Sequence, residues 1–123
     1  MKAILLDWSG EIKAIDMPEK PHWRWFNEQI GADLINPLTS DKLPKNFIVL
    51  TNRETFIETS PVNAVATWLT NLPIAEKAMI CKVEDGVTDP EAETTIPLSD
   101  CEAVLLVEIL RGLSMRMTPR TAV

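Results

Sequence analysis

The fold of this chain is decided by residues 46–84, NFIVLTNRETFIETSPVNAVATWLTNLPIAEKAMICKVE. Apolar, β-branched runs on the two sides of a polar turn predict a β-hairpin over Asn46–Glu58. A helix over 61–71 follows, and the apolar run within Lys77–Glu84 predicts a further strand. These residues therefore describe a strand pair, a helix and a strand, but they contain no catalytic motif.

Local signals at both ends of the predicted helix support it. Ser60 is the expected N-cap and Pro61 the first helical residue, because these residue types are favoured there. Asn71 and Pro73 are expected to end the helix. Trp68 lies beside the expected buried stripe, with core packing as its simplest role. The stripe consists of apolar side chains at helical spacing: Val62, Val65, Ala66, Leu69 and Leu72.

The N-terminal third predicts a second hairpin and a helix. Alternating apolar residues around a turn predict a hairpin over Lys2–Asp16. A helix is expected over 21–30, and Gly31 is suited to its C-terminal end. Asp33–Leu38 predicts a strand at the edge of a sheet, because Pro37 cannot donate a ladder hydrogen bond.

The last helix is the most apolar part of the chain. Ser99 and Glu102 form a capping box, so a helix is expected over 99–111, with Gly112 at its end. Val104–Leu110 is apolar on nearly every side. Such a helix is expected either deep in the fold or in a contact with a partner, a homodimer among the alternatives.

The mixed order of strands and helices predicts an α+β fold, with a mixed, largely antiparallel sheet and about three helices packed on it. Residues 1–112 are expected to form a single domain and residues 113–123 a flexible basic tail. With 123 residues, the chain is long enough to bury a core without disulfides.

Composition excludes several classes of function. The net charge of −6 argues against direct binding to nucleic acid or to an anionic membrane. No segment has the length of a membrane span, and the N-terminus does not have the pattern of a signal peptide. Two cysteines in such a chain suggest a reducing compartment, so we expect a cytoplasmic protein.

No catalytic residue, metal site or cofactor is predicted. His22 is the only histidine, and it is expected to be a surface side chain at a helix start. Cys81 and Cys101 are expected to be small buried hydrophobic residues. The four glycines are scattered, so there is no glycine-rich phosphate loop. The sequence shows no set of nucleophile, base and orienting group, so an enzyme is placed last among the alternative functions.

Acidic residues are concentrated before and within the last helix. Their spacing does not fit a calcium loop, and a solvated loop is the simpler interpretation. The same residues would also present a negative surface to a basic partner. The predicted acidic surface consists of Glu84, Asp85, Asp89, Glu91 and Glu93.

Four tryptophans in a chain without tyrosine suggest an interface. Trp23, Phe26 and Ile30 fall on one helical face, so Trp25 is expected to point away from the core. Trp8 lies in the predicted β-turn. Trp8, Arg24 and Trp25 are therefore the predicted partner-binding residues, because Trp and Arg are enriched at interface hot spots.

The order of these signals resembles a family of small domains of unknown function encoded by phages, plasmids and other mobile elements. The resemblance rests on Met1-Lys-Ala-Ile-Leu-Leu-Asp and Ile30-Gly-Ala-Asp-Leu, and it extends over roughly residues 1–110. Trp23, Trp25 and the basic tail depart from the family pattern. The resemblance brings no catalytic residues. It implies an accessory protein of a mobile element that binds host machinery.

Three functions follow, in this order. The first is a non-enzymatic accessory protein that binds a host protein, such as an inhibitor of a bacterial defence system with an anti-CRISPR-like role. The second is a sponge for a small molecule or nucleotide, which would show a concave site lined by Arg, Lys and aromatic residues. The third is an enzyme of unknown type.

Overall fold

The computed structural model describes residues 1–54 and 59–117, without the side chain of Glu93. Its strands and helices confirm the α+β class. The strands are β1 (Lys2–Leu6), β2 (Ile12–Asp16), β3 (Ile35–Thr39), β4 (Phe47–Asn52), β5 (Ala78–Val83) and β6 (Thr95–Ile96). The helices are α1 (Trp23–Ile30), α2 (Ala64–Thr70) and α3 (Asp100–Met117), with a short 3-10 turn over Ala92–Thr94.

All strand pairs in the sheet are antiparallel. The strand order is β2-β1-β5-β4-β3. β6 pairs with the C-terminal end of β5, beyond the residues of β5 that pair with β1. In the centre, Ile80 lies opposite Ile4 on one side and Val49 on the other. β3 is at the edge, as Pro37 predicts. The β1–β2 hairpin over Lys2–Asp16 is confirmed.

The sheet is covered on both faces. Side chains alternate along a strand, so Ile4 and Leu6 pack in the cluster that contains α2 and α3. Ala3 and Leu5 face the other way and pack with Phe26 of α1. Burial on both faces explains why the central strands are apolar without interruption. The two helical layers are therefore separated by the sheet.

The predicted hairpin at 46–58 is only partly described. β4 pairs with β3 and with β5. The expected return strand at 55–58 lies outside the described residues. The strand predicted within Lys77–Glu84 is confirmed as β5, which lies between β1 and β4.

α2 begins three residues later than predicted. Its N-cap is Asn63, whose Oδ1 accepts from the N–H of Ala66 at 3.1 Å, so the prediction of Ser60 is wrong. Before this point, Val62 bridges Ala75 in extended backbone, which prevents a helix from starting at Pro61. The end at Asn71 is confirmed.

The late start of α2 shortens its buried stripe. Val65, Ala66 and Leu69 are buried, as predicted. Val62 and Leu72 lie outside the helix and are 52% and 47% exposed, so their predicted burial is wrong.

α3 extends further than predicted. The capping box is confirmed, since Glu102 accepts from the N–H of Ser99 at 2.9 Å and donates its own N–H to Ser99 Oγ at 3.1 Å. The helix passes through Gly112 and is described as far as Met117, so it includes five residues of the predicted tail 113–123. Ser114 Oγ donates to the carbonyl of Gly10 at 2.9 Å, which ties this last part of the helix to the β1–β2 turn. The rest of the predicted tail lies outside the described residues.

α3 is buried on one side only. Ala103, Val107, Leu110 and Ser114 face the core. Val104, Leu105 and Ile109 are exposed, because among the described residues α3 packs mainly against β1, β2 and α2, which lie on its other side. Deep burial of Val104–Leu110 is therefore wrong, and the partner contact remains a prediction.

Candidate functional site

The predicted partner-binding residues do not form one surface. Trp8 is 51% exposed, as expected, and lines a cavity with Val62 and Met117 on the face of the sheet that carries α2 and α3. Trp25 packs with the cluster on the opposite face, together with α1. Arg24 is exposed on α1. The sheet therefore separates Trp8 from Arg24 and Trp25.

The expectation that Trp25 points away from the core is wrong. Its ring contacts the buried Phe26 edge-on, with centroids 5.2 Å apart. Trp23 contacts the same Phe26 ring at 5.4 Å. Both indoles are half-buried and pack against the core cluster. The 3.6-residue repeat gives the direction in which Trp25 leaves the helix, but a long side chain on a short helix folds back onto its neighbour.

A wide cavity of about 760 Å³ lies beside the start of α1. We call it the α1 cavity. It joins the two indoles with cationic side chains from the preceding loop and from the helix itself. Its lining residues are Pro18, Lys20, His22, Trp23, Arg24, Trp25 and Glu28. Arg24 and Trp25, two of the three predicted binding residues, therefore line one concave site.

The predicted acidic surface lies on the loop between β5 and β6. Glu84, Asp85, Asp89 and Glu91 are exposed, and Asp85 accepts a hydrogen bond from the Asn46 side chain. The side chain of Glu93 lies outside the described residues. Within residues 1–54 and 59–117, no three metal-ligating side chains come together. The loop is thus a solvated acidic surface.

The two cysteines differ in their surroundings. Cys81 is fully buried in β5, and burial raises the pKa of its thiol to about 12, so it stays protonated at neutral pH. Cys101 is exposed in the first turn of α3, so its predicted burial is wrong. His22 is exposed at the start of α1, as expected.

An apolar groove of about 330 Å³, which no pattern in the sequence predicts, lies between α2 and α3. We call it the α2–α3 groove. Trp68 forms one wall, and Leu105 and Ile109 form the other. These three side chains are 40%, 59% and 66% exposed. Core packing of Trp68 is therefore wrong. The remaining lining residues are Lys42, Leu43, Pro44, Phe47, Leu69, Glu102, Leu106 and Leu110.

Charged side chains border this groove. Lys42 Nζ lies 5.1 Å from the centre of the Trp68 ring and donates to Asn71 Oδ1 at 2.8 Å. Lys82 Nζ pairs with Glu102 Oε1 at 2.9 Å. An apolar floor with a polar border is the usual arrangement of a binding surface.

The contribution of Glu102, which lies at the border of the groove, to the stability of the fold is expected to depend on pH. The Ser99 N–H, followed by Lys82, holds the pKa of Glu102 below its ordinary value of 4.5. Because the folded-state pKa is the lower one, this stabilisation is complete above 4.5 and is lost as pH falls through the folded-state pKa. We expect Glu102→Gln to lower the free energy of unfolding by about 0.5 kcal/mol at pH 7, since the pair is partly solvated.

Urea unfolding of wild type and variant across this pH range measures the difference. The difference should shrink toward acid pH. Glu108→Gln, an exposed acid on the same helix, is the matched control and should show little effect at any pH. A Glu102→Gln effect that grows as the pH falls would contradict this assignment.

In comparisons with family models, curated proteins and solved structures, none matches this chain. The resemblance to a family of mobile-element domains therefore remains a prediction. Among the described residues, no helix combines the length and the apolar character needed to cross a membrane.

Proposed function

We propose that this chain is a non-enzymatic binding protein that holds an amphipathic helix of a host protein in the α2–α3 groove. The observation that carries the proposal is the exposure of Trp68, Leu105 and Ile109 around one groove. Exposed apolar side chains that cluster, rather than lie singly, mark interaction sites. Tryptophan is also one of the residue types enriched among interface hot spots.

The shape of the groove favours a helix as the occupant. Leu105 and Ile109 are four residues apart on α3, so they form a continuous ridge. Trp68 of α2 stands on the other side of the groove. An amphipathic helix places apolar residues at positions i, i+3, i+4 and i+7, which is the pattern that fits between two such walls.

Negative charge on α3 and on the chain as a whole favours a basic flank on the partner. Glu108 is exposed on α3, and the chain as a whole carries −6. Complementary charge mainly raises the association rate and the specificity. A helix with an apolar stripe and flanking Lys or Arg residues is the proposed occupant.

The resemblance to mobile-element domains supports the biological side of this proposal. In that setting, the chain is an accessory protein of a phage or mobile element. By covering a helix of a host protein, it would inhibit that protein, with a bacterial defence system as the proposed target.

The wild-type chain is used to capture its partner from bacterial lysate, and the complex is then reconstituted with the captured protein. The affinity of wild type for this protein is compared with that of the double variant Leu105→Asp/Ile109→Asp. We expect at least a tenfold loss of affinity, because charge is placed in the apolar centre of the interface. Met115→Asp is the matched control, since Met115 is 81% exposed on α3 but does not line the groove. The control should bind as wild type does.

Light scattering of the purified chain separates the alternatives. A monomer that forms a defined complex with the captured protein supports the proposal. A stable homodimer that Leu105→Asp/Ile109→Asp dissociates would show that a second copy occupies the groove, and the proposal would then be wrong. Equal affinity of the double variant and wild type would also refute it.

A further inference from the structure

The α1 cavity differs from the α2–α3 groove in its location and in its lining residues. It lies on the opposite face of the sheet, and its lining comes entirely from residues 18–28. Its volume of about 760 Å³ is within the usual range for small-molecule sites. The cavity is therefore a separate site, and its composition indicates which ligand it fits.

The indoles of this cavity are held in place. Trp23 and Trp25 both contact the ring of Phe26, which is fully buried. Because each indole is only half-buried, part of its surface remains open to solvent. Because the indoles are already ordered, ligand binding costs little side-chain entropy, and this favours affinity. Fixed aromatic side chains are suited to stacking with a planar base.

The cations of this cavity are available for a ligand. Within the described part of the chain, neither Lys20 nor Arg24 takes part in an ion pair. Glu28 is the one acid among the lining residues, so the cationic side chains outnumber it in a chain that is acidic overall. The two exposed cations can bind an anion, and the two indoles beside them can stack with an aromatic ring attached to that anion.

The start of α1 adds to this arrangement. His22 provides no side-chain cap, and the first turn contains no acidic residue. The Trp25 N–H donates to the His22 carbonyl at 2.9 Å, but no carboxylate competes for the N–H groups of Trp23 and Arg24, which favour an anion at this end of the helix.

We propose that the α1 cavity binds a nucleotide, with the base stacked on the indoles and the phosphates held by Lys20 and Arg24. A nucleotide joins a planar ring to an anion, and the cavity offers one partner for each part. It is also the ligand class that the sponge alternative requires. The net charge of −6 disfavours the long polyanion of a nucleic acid more than a single nucleotide.

Calorimetric titration of the full chain with ADP tests this proposal, with adenosine and inorganic diphosphate as the two halves of the ligand. ADP is expected to bind at least about tenfold more tightly than either half, because stacking and charge-assisted hydrogen bonds then act together. The Trp23 and Arg24 amide resonances should shift on binding.

The variant Lys20→Ala/Arg24→Ala should weaken ADP binding by about tenfold or more, since it removes both cations. Both side chains are exposed, so the fold should be unchanged. Lys45→Ala/Arg116→Ala removes the same charge from exposed positions elsewhere and is the matched control.

Four results would overturn the proposal. The wild type fails to bind ADP, or the Lys20→Ala/Arg24→Ala variant binds it unchanged. Diphosphate alone binds as tightly as ADP, which would reduce the site to an anion site. A single-stranded oligonucleotide binds at least about tenfold more tightly than ADP through the same residues, which would assign the cavity to nucleic acid. None of these results depends on the α2–α3 groove.

Discussion

Replacing Asn63 with alanine is expected to lower the free energy of unfolding by about 3 kcal/mol. The side chain is 1% exposed and makes three hydrogen bonds. Its Oδ1 caps α2, and its Nδ2 donates to the carbonyls of Leu6 at 3.1 Å and Glu76 at 2.8 Å. Alanine removes the cap, which is typically worth about 1 kcal/mol, and leaves two carbonyls without this donor.

Two further variants separate these contributions. Asn63→Ser keeps a side-chain acceptor for the cap but lacks the reach of the amide, so it should recover about 1 kcal/mol relative to alanine. Ser60→Ala is the matched control, because Ser60 was the N-cap expected from the sequence. We expect it to change stability by less than about 0.5 kcal/mol.

Chemical denaturation of wild type and the three variants, with the denaturant midpoint and the slope both fitted, measures these differences in the free energy of unfolding. Unchanged slopes would show that the native fold is the same in all of them. If Ser60→Ala is as destabilising as Asn63→Ala, the structural position of the cap is mistaken.

Local signals predicted the elements of this fold well. The Ser99 and Glu102 capping box, Gly31 after α1 and Asn71 after α2 each act within a few residues, so the sequence contains the whole interaction. The start of α2 was mispredicted because Asn63 is stabilised by Leu6 and Glu76, which are distant in sequence. The extension of α3 was missed for the same reason, since Ser114 bonds to Gly10.

The candidate sites were less predictable than the elements. The composition of α3 shows that it is apolar nearly all round, but only packing decides which side lacks a neighbour. Trp68 became a groove wall because α2 and α3 lie side by side. Trp8 and Trp25 were grouped because both were expected to be exposed, but the sheet separates them. Strand order and layer assignment are long-range properties, and a single sequence does not state them.

The second large effect is expected at Phe26, which joins the core to the α1 cavity. Phe26→Ala should lower the free energy of unfolding by about 4 kcal/mol, because a fully buried aromatic ring is replaced by a cavity. Such a loss is a large part of the 5–15 kcal/mol that typically stabilises a domain. Phe26→Leu keeps most of the apolar volume and should be much less destabilising.

Phe26 also positions both indoles, so Phe26→Leu is informative beyond stability. The ring contacts to Trp23 at 5.4 Å and Trp25 at 5.2 Å are lost in this variant, while the core stays filled. We therefore expect the tryptophan signals in near-UV circular dichroism to weaken although the denaturation midpoint falls only slightly. Binding of a ligand to the α1 cavity should weaken with them.

Trp25→Ala completes the comparison, because it tests whether Trp25 belongs to the core or to a surface. A half-buried indole should contribute less than a fully buried ring, so the stability loss should lie between that of an exposed residue and the roughly 4 kcal/mol expected for Phe26→Ala. Equal losses for the two alanine variants would assign Trp25 to the core alone. An unchanged free energy of unfolding would instead show that its contact with Phe26 contributes nothing to the fold, and preorganisation of the indole would then lose its physical basis.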